Sequence, residues 1–318
     1  MTPPRSDHFN GKTFFQPRHP RPFRRRDFWR WQLTAQRRPW PKTVPFAAPP
    51  PPPVPRGDDV VVTWIGHASF LLQTAGGNFL IDPVFSRRTS PVTWAGPQRV
   101  HPPGVAFDAL PRIDAVLISH DHYDHLDVAT LRSLAAKHAP RFIAPLRHRE
   151  LLAANGAREI VELDWWDSHA LWSQASVTLT PTMHWSNRLG SPRNHRLWGG
   201  FFFQLGPKRA WFVGDTAYDA SIFREIRQRL GEPDLALVPI GGYEPRWFMA
   251  PMHVNPAEAV ELHRESGARR SIAMHWGTFR LSDEGRDEPV EALAAARGAM
   301  GLSEEAFGIL PPGGSIVV

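Results

Sequence analysis

Between Ser119 and Asp127 the chain reads SHDHYDHLD, which crowds His120, His122, Asp124 and His125 into six residues directly behind the apolar run AVLI. Such a run forms a strand, and a tight turn at its end projects several of these side chains toward one point. Three imidazoles and a carboxylate held together repel once the rings are protonated. A bound metal ion removes that cost by keeping the rings neutral and the acid ionised. The chain has no cysteine, so disulfides and thiolate ligands are excluded and a metal site must use histidine and carboxylate. Zinc, manganese and iron suit that donor set.

One ion takes about three protein ligands and keeps a position open for water. Two ions need more donors than this motif holds, and the others are expected at strand ends. Three residues qualify: His184 after SVTLTPTM, Asp215 after AWFVG and His275 after SIAM. Asp82 ends the apolar run FLID and His67 stands in GHAS, so both are candidates to brace a ligand from behind. The alternatives are plain: Asp82 opens a turn before Pro83, and His67 caps a turn.

The donors are set in a regular framework. VVVTWIG, SFLLQT and FLID read as three strands with turns near Gly66 and Gly76-Gly77. Further strands are expected at 115–119, 141–145, 159–163, 176–180, 200–205, 210–214, 235–240 and 271–275, and helices at 128–138, 147–155, 219–230, 256–266 and 288–299. Strands come first as a meander and later alternate with helices. That order predicts a layered α/β domain with mixed sheets. Asn255, Pro256 and Glu258 form a helix-start signature, which places His253 on a loop two residues before a helix.

Charge divides the chain in two. Residues 1–56 hold 12 Lys plus Arg against Asp7 and Asp27, a balance of +10, whereas the remaining 262 residues carry −4. Residues 1–26 show no period, 27–38 read as a short helix capped by Asp27, and 39–56 contain nine prolines, a polyproline spacer composition. The expected organisation is therefore a basic arm, 1–56, and a catalytic domain, 57–318. No run of 18 or more apolar residues is present and MTPPRSDHFNGK lacks the apolar stretch of a secretory signal. These features favour the cytoplasm, with the arm and its Phe28, Trp29 and Trp31 approaching the inner face of an anionic membrane.

The order HxHxDH, His184, Asp215, His275 resembles the metallo-β-lactamase superfamily. More narrowly, VTWIGHASFLLQ, ELDWWD, LWGGFFFQLGP, FVGDTAYD, PIGGYEPRWFM and MHWGTF resemble the branch of N-acylphosphatidylethanolamine-hydrolysing phospholipases D. The resemblance implies a four-layer αβ/βα sandwich and two Zn²⁺ per chain. It implies His120, His122 and His184 on one ion, Asp124, His125 and His275 on the other, and Asp215 bridging. Asp124, Asp215 and His253 are the implied catalytic residues. Tyr243, Trp247, Phe248, Met252 and His253, from a loop rich in Gly and Pro, are the expected substrate-facing set. Met252 departs from the branch, whose mammalian members have Gln there.

The expected reaction is hydrolysis of an N-acylphosphatidylethanolamine-type phospholipid to phosphatidic acid and an N-acylethanolamine. A lactonase or small phosphoester hydrolase would keep the metal site without needing apolar side chains in that loop. A nuclease would need positive charge around the cleft, and the −4 domain argues against nucleic acid as a partner. A non-enzymatic adaptor would need only a closed structural site. No GxSxG elbow is present for a serine triad.

Overall fold

The computed structural model describes residues 6–18, 24–47 and 49–318. Its core is two seven-stranded sheets. The first contains β1 (Val61–Gly66), β2 (Ser69–Thr74), β3 (Gly77–Ile81), β4 (Ala115–Leu117), β5 (Arg141–Pro145) and β6 (Glu159–Leu163) in spatial order. The second contains β7 (Ser168–Trp172), β8 (Ala175–Thr180), β9 (Gly200–Leu205), β10 (Lys208–Phe212), β11 (Leu235–Pro239), β12 (Arg270–Met274) and β13 (Phe307–Gly308), also in spatial order. β14 (Ser315–Val317) returns to the first sheet and pairs antiparallel with β1. In each sheet hairpins lie at one end and parallel strands at the other: β3 to β6 are parallel, as are β10 to β13.

The sheets pack face to face because alternate side chains of nearly all-apolar strands meet between them. Phe79 stacks on Phe203 with centroids 5.2 Å apart, and Phe70 meets Phe212 edge-on. Burying each such ring is worth roughly 1.5–3 kcal/mol. On the outer face of the first sheet, Leu71, Leu80, Val116 and Phe142 pack with Leu131 and Leu134 of α2 (Val128–His138) and Leu152 of α3 (Arg149–Ala153). The second sheet is covered by α4 (Ala220–Leu230), α6 (Pro256–Ser266) and α7 (Glu288–Ala299), which bury Phe223, Val260 and Leu293. This is the expected αβ/βα sandwich.

Several expectations need correction. β7 was not expected; SHALW alternates weakly and is only partly buried. β13 and β14 are two and three residues long, too short to leave a pattern. The loop GGYEPRWFM contains a one-turn helix, α5 (Arg246–Met249). The first helix, α1, spans Arg25–Thr34, and Asp27 lies inside its first turn instead of capping it.

The division at residue 56 marks a change of composition and not of packing. Phe9 and Phe14 are fully buried in the main core, and Phe14 N donates to Asn194 O at 2.9 Å. Trp31 of α1 stacks on Phe248 of α5 and donates to Asp283, so it is not available to a membrane. The proline-rich stretch is strapped to the domain through Trp40 Nε1 to Glu284 O and Val44 N to Val100 O. Residues 1–5, 19–23 and 48 of the expected arm lie outside the described residues.

Candidate metal centre

The site sits where parallel strands end and helices begin. β4 runs into His120, His122, Asp124 and His125, and the segment closes on Asp127, whose side chain accepts from Ala129 N and caps α2. β10 leads to Asp215, and Asp219 then caps α4. β11 leads through α5 to His253, and Asn255 with Glu258 forms the capping box of α6, as the sequence suggests. β12 ends at His275. The ligand turn, Asp215 and His253 are thus each pinned between a strand and a helix cap, while His184 follows the end of β8.

All seven ligand-type residues converge. Ligand atoms of His120, His122 and His184 lie within 4.8 Å of one another, as do those of His67, Asp124, His125 and His275. Asp215 lies between these two groups: its Oδ2 is 3.2 Å from His275 Nε2, 3.3 Å from His125 Nε2, 3.7 Å from His184 Nε2 and 4.0 Å from His120 Nε2. His253 joins the cluster, with Nδ1 3.9 Å from the same oxygen. Further donor groupings are Asp82 with His120 and His125, and His184 with Asp215 and His253.

The arrangement fits metal ions on its own chemistry. His125 Nε2, His275 Nε2, His253 Nδ1 and Asp215 Oδ1 are buried without a hydrogen-bond partner. Buried polar atoms are normally satisfied, so such a concentration of orphans needs a ligand to explain it. Electrostatics gives the same answer. Burial alone would raise Asp124 and Asp215, but the adjacent histidines hold both carboxyls well below the usual range. Burial opposes protonation of His125 and His275, but Asp215 and Asp124 raise both, His275 to about 9. Burial and neighbouring rings push His120 well down, and burial also pushes His184 well down, though Asp215 pulls against it. Two buried carboxylates thus demand compensating positive charge at this point.

Behind the donors, Asp82 accepts from His125 Nδ1 at 2.7 Å, Ser119 N at 2.7 Å and Ser119 Oγ at 2.5 Å. Ser119 Oγ in turn contacts His120 Nδ1 at 2.9 Å. Asp82 therefore does more than open a turn: it orients one ring from each group. His67 Nε2 lies 2.9 Å from Asp124 Oδ2, and His184 Nδ1 donates to Met252 O. His67, Asp82 and His275 all have left-handed φ values of 55°, 42° and 61°. Non-glycine residues there cost about 1–3 kcal/mol each, strain characteristic of functional sites. A Cβ on Gly241 would lie 2.2 Å from His275 O, so only glycine lets that strand end approach.

The expected substrate-facing residues are not all at the site. Trp247 is 45% exposed, whereas Phe248 and Met252 are buried against Trp31 of α1, with Trp185 packed on the same cluster. Tyr243 is buried, which raises its phenol, with Glu284 and Glu288 among its charged neighbours. Sequence reasoning missed the brace across the ligand turn. Arg196 Nη1 donates to Asp121 Oδ2 at 2.9 Å, and Arg188 Nη1 donates to the carbonyls of Asp121 and Leu126. An acid lodged between two ligand histidines was the available signal.

The sequence model of the β-lactamase superfamily domain matches residues 77–276, which contain His120, His122, Asp124, His125, His184, Asp215 and His275. The chain belongs to the metallo-β-lactamase superfamily and is a metal-dependent hydrolase of that fold. Its relatives include an uncharacterised protein of Mycobacterium tuberculosis, 44% identical over 80% of this chain and 68% of the relative. They also include N-acyl-phosphatidylethanolamine-hydrolyzing phospholipase D 1 of Caenorhabditis elegans, 37% identical over 73% of this chain and 69% of that protein. Among solved structures, isothiocyanate hydrolase from Delia radicum gut bacteria shares the fold, with a TM-score of 0.64 at 20% identity over 80% of this chain and 98% of that one.

Proposed function

We propose that the protein is a di-zinc phosphodiesterase that hydrolyses N-acylphosphatidylethanolamine-type phospholipids. The observation that carries the reading is the position of Asp215 between two histidine-rich groups, with one oxygen within 4.0 Å of five ring nitrogens, those of His120, His125, His184, His253 and His275. His120, His122 and His184 would hold one ion, Asp124, His125 and His275 the other, with Asp215 shared. Two bound ions supply a water of lowered pKa and positive charge for a phosphoryl centre.

The chain's own residues do the remaining work. Hydrolysis forms a P–O bond from water, breaks the P–O bond to the ethanolamine oxygen and returns a proton to that oxygen. Asp82 and His67 fix the donor side chains before substrate arrives, so little reorganisation accompanies the reaction. His253 lies partly buried beside Asp215, and desolvation pushes its imidazole down to about 4 against the pull of Asp215. A neutral ring there donates a hydrogen bond to a phosphoryl or leaving-group oxygen.

The lipid part of the reading rests on an apolar cluster beside the centre. It begins at Trp185, whose ring meets His122 with centroids 4.4 Å apart, and at Met252, whose carbonyl holds His184. It continues through Phe248 and Met249 to Trp31 and Phe28 of α1. α1 then presents Trp29 and Leu33, 62% and 85% exposed, and Arg30 stacks over Trp247. Apolar side chains interleaved with arginine suit an anionic lipid surface. No helix among the described residues is long and apolar enough to cross a membrane.

The test is to incubate metal-loaded protein with N-acylphosphatidylethanolamine, a lactone and RNA in ¹⁸O-labelled water and read products by mass spectrometry. The expected outcome is label in phosphatidic acid, loss of the reaction on chelation and recovery with zinc. Label in the ethanolamine oxygen, or turnover of the lactone or RNA alone, would overturn the reading.

A further inference from the structure

Trp185 follows His184 and lies edge-on to the His122 ring. The guanidinium of Arg193 sits 3.5 Å over the Trp185 ring. A single indole thus links this cation to the donor cluster. The loop that carries Arg193 is tied shut at its stem. Ser186 N donates to Asn194 Oδ1 at 3.2 Å, Asn194 N donates to Ser186 O at 2.8 Å, and Ser186 Oγ donates to Arg196 O. Asn194, at φ 57°, turns the chain immediately after Arg193 in a region that asparagine tolerates.

The stem is also fixed from outside. Phe14 N donates to Asn194 O, and Arg196 and Arg188 clamp the ligand turn through Asp121 and Leu126. Arg193 is therefore held in register with the donor cluster by the same bonds that shape the ligand turn. Burial lowers its guanidinium to about 9, so it has surrendered much of its hydration yet stays charged at neutral pH. A partly desolvated cation interacts strongly with an anion that reaches it. Stacking uses the face of a guanidinium, while oxyanion recognition uses N–H groups in its plane, so the two are compatible.

We propose that Arg193 is a substrate-binding residue that selects anionic phosphodiester substrates over neutral esters by hydrogen-bonding a non-bridging phosphoryl oxygen. The substrate class rests on the phosphodiesterase reading above; the anion-binding role rests on the loop and stacking geometry. A neutral carbonyl ester offers no full charge to this cation, so Arg193 discriminates where the metal centre alone would accept both.

The test uses full-length, metal-loaded protein and the variants Arg193→Gln and Arg193→Lys, each checked for unchanged metal content and melting temperature. Inorganic phosphate binding is measured by calorimetry. Hydrolysis of bis(4-nitrophenyl) phosphate is compared with that of 4-nitrophenyl acetate. Arg193→Gln should weaken phosphate binding about ten- to hundredfold, the range for a charge-assisted hydrogen bond. It should lower kcat/KM for the diester by a similar factor, chiefly through KM, and leave the acetate ester within about twofold. Arg193→Lys keeps the charge without the fork and should fall between the two. Unchanged phosphate affinity in Arg193→Gln, or equal losses on both substrates, overturns the proposal. Should wild-type protein hydrolyse no diester while Arg193→Gln still loses phosphate affinity, the anion site stands and the phosphodiesterase reading fails.

Discussion

Asp82 and His125 form a wholly buried pair in which the ring Nδ1 donates to the carboxylate at 2.7 Å, leaving His125 Nε2 turned toward Asp124 and Asp215. The carboxylate fixes both the tautomer and the ring orientation. Asp82→Ala should therefore weaken metal binding about 10–100-fold although Asp82 contributes no donor atom of its own to the proposed ion pair. Competitive titration with a chelating dye checks this; wild-type affinity in a folded variant would show the pair to be merely structural.

Asp215 faces both donor groups, so its loss should be felt by both. Wild-type protein is expected to carry about two ions per chain, and Asp215→Ala should lose much of both. Elemental analysis that finds one tightly held ion, unchanged in the variant, would remove Asp215 from the shared position.

His253 stands near Asp215 without being needed as a ligand in the proposed set. His253→Ala should keep both ions and near-normal melting, yet lose about 10²–10⁴-fold in turnover. The deficit should shrink for a substrate with a nitrophenolate leaving group if the ring assists the departing oxygen. Early melting, or full turnover, would give His253 a structural role in its loop instead of a catalytic one.

His8 gives a pH signature remote from the metal centre. Its Nδ1 lies 2.5 Å from Asp7 Oδ1 and its Nε2 2.7 Å from Asp164 Oδ1, while the ring stacks on Trp165. Both nitrogens can donate only as imidazolium. Burial works against that charge, but the hydrogen bonds to Asp164 and Asp7 prevail and raise the ring above its ordinary 6.5. The folded chain thus holds this proton more tightly than the unfolded one. Its stabilisation is complete below pH 6.5 and declines as the pH rises through the folded value. Wild-type melting temperature should fall more than that of His8→Gln between about pH 6 and about pH 8.5; parallel curves would count against a stabilising role for the protonated ring.

Phe14 is a fully buried ring contributed by the segment that composition marks as an arm. Phe14→Ala should cost about 3–5 kcal/mol, as core ring deletions do. Urea denaturation gives the value, and an unchanged midpoint would mean that the segment is not part of the cooperative unit.

Much of the centre was legible because its donors follow apolar runs that can only be buried strands: AVLI before His120, AWFVG before Asp215, SIAM before His275. The start of α6 was legible too, since Asn255, Pro256 and Glu258 act within one turn. What stayed hidden depends on partners distant in sequence. Nothing periodic in HFNGKTFF announces that Phe9 and Phe14 enter the core, and Trp31 reads as an exposed anchor until Phe248 and Asp283 cover it. Arg193 is silent for the same reason: its meaning comes from Trp185, eight residues earlier in the chain, and from a stem closed by Ser186 and Asn194.

The pairing of β1 with β14, Val61 opposite Val317, also governs how the molecule can be made. A ribosome delivers β1 more than two hundred residues before its outer neighbour. Until then the β1 edge shows unpaired amides and carbonyls beside buried-type side chains, a surface that invites pairing with other nascent chains. Closure of the first sheet thus waits until every other strand of both sheets has been made. Substitutions that weaken Ser315–Val317 should harm yield during expression more than they harm the finished protein.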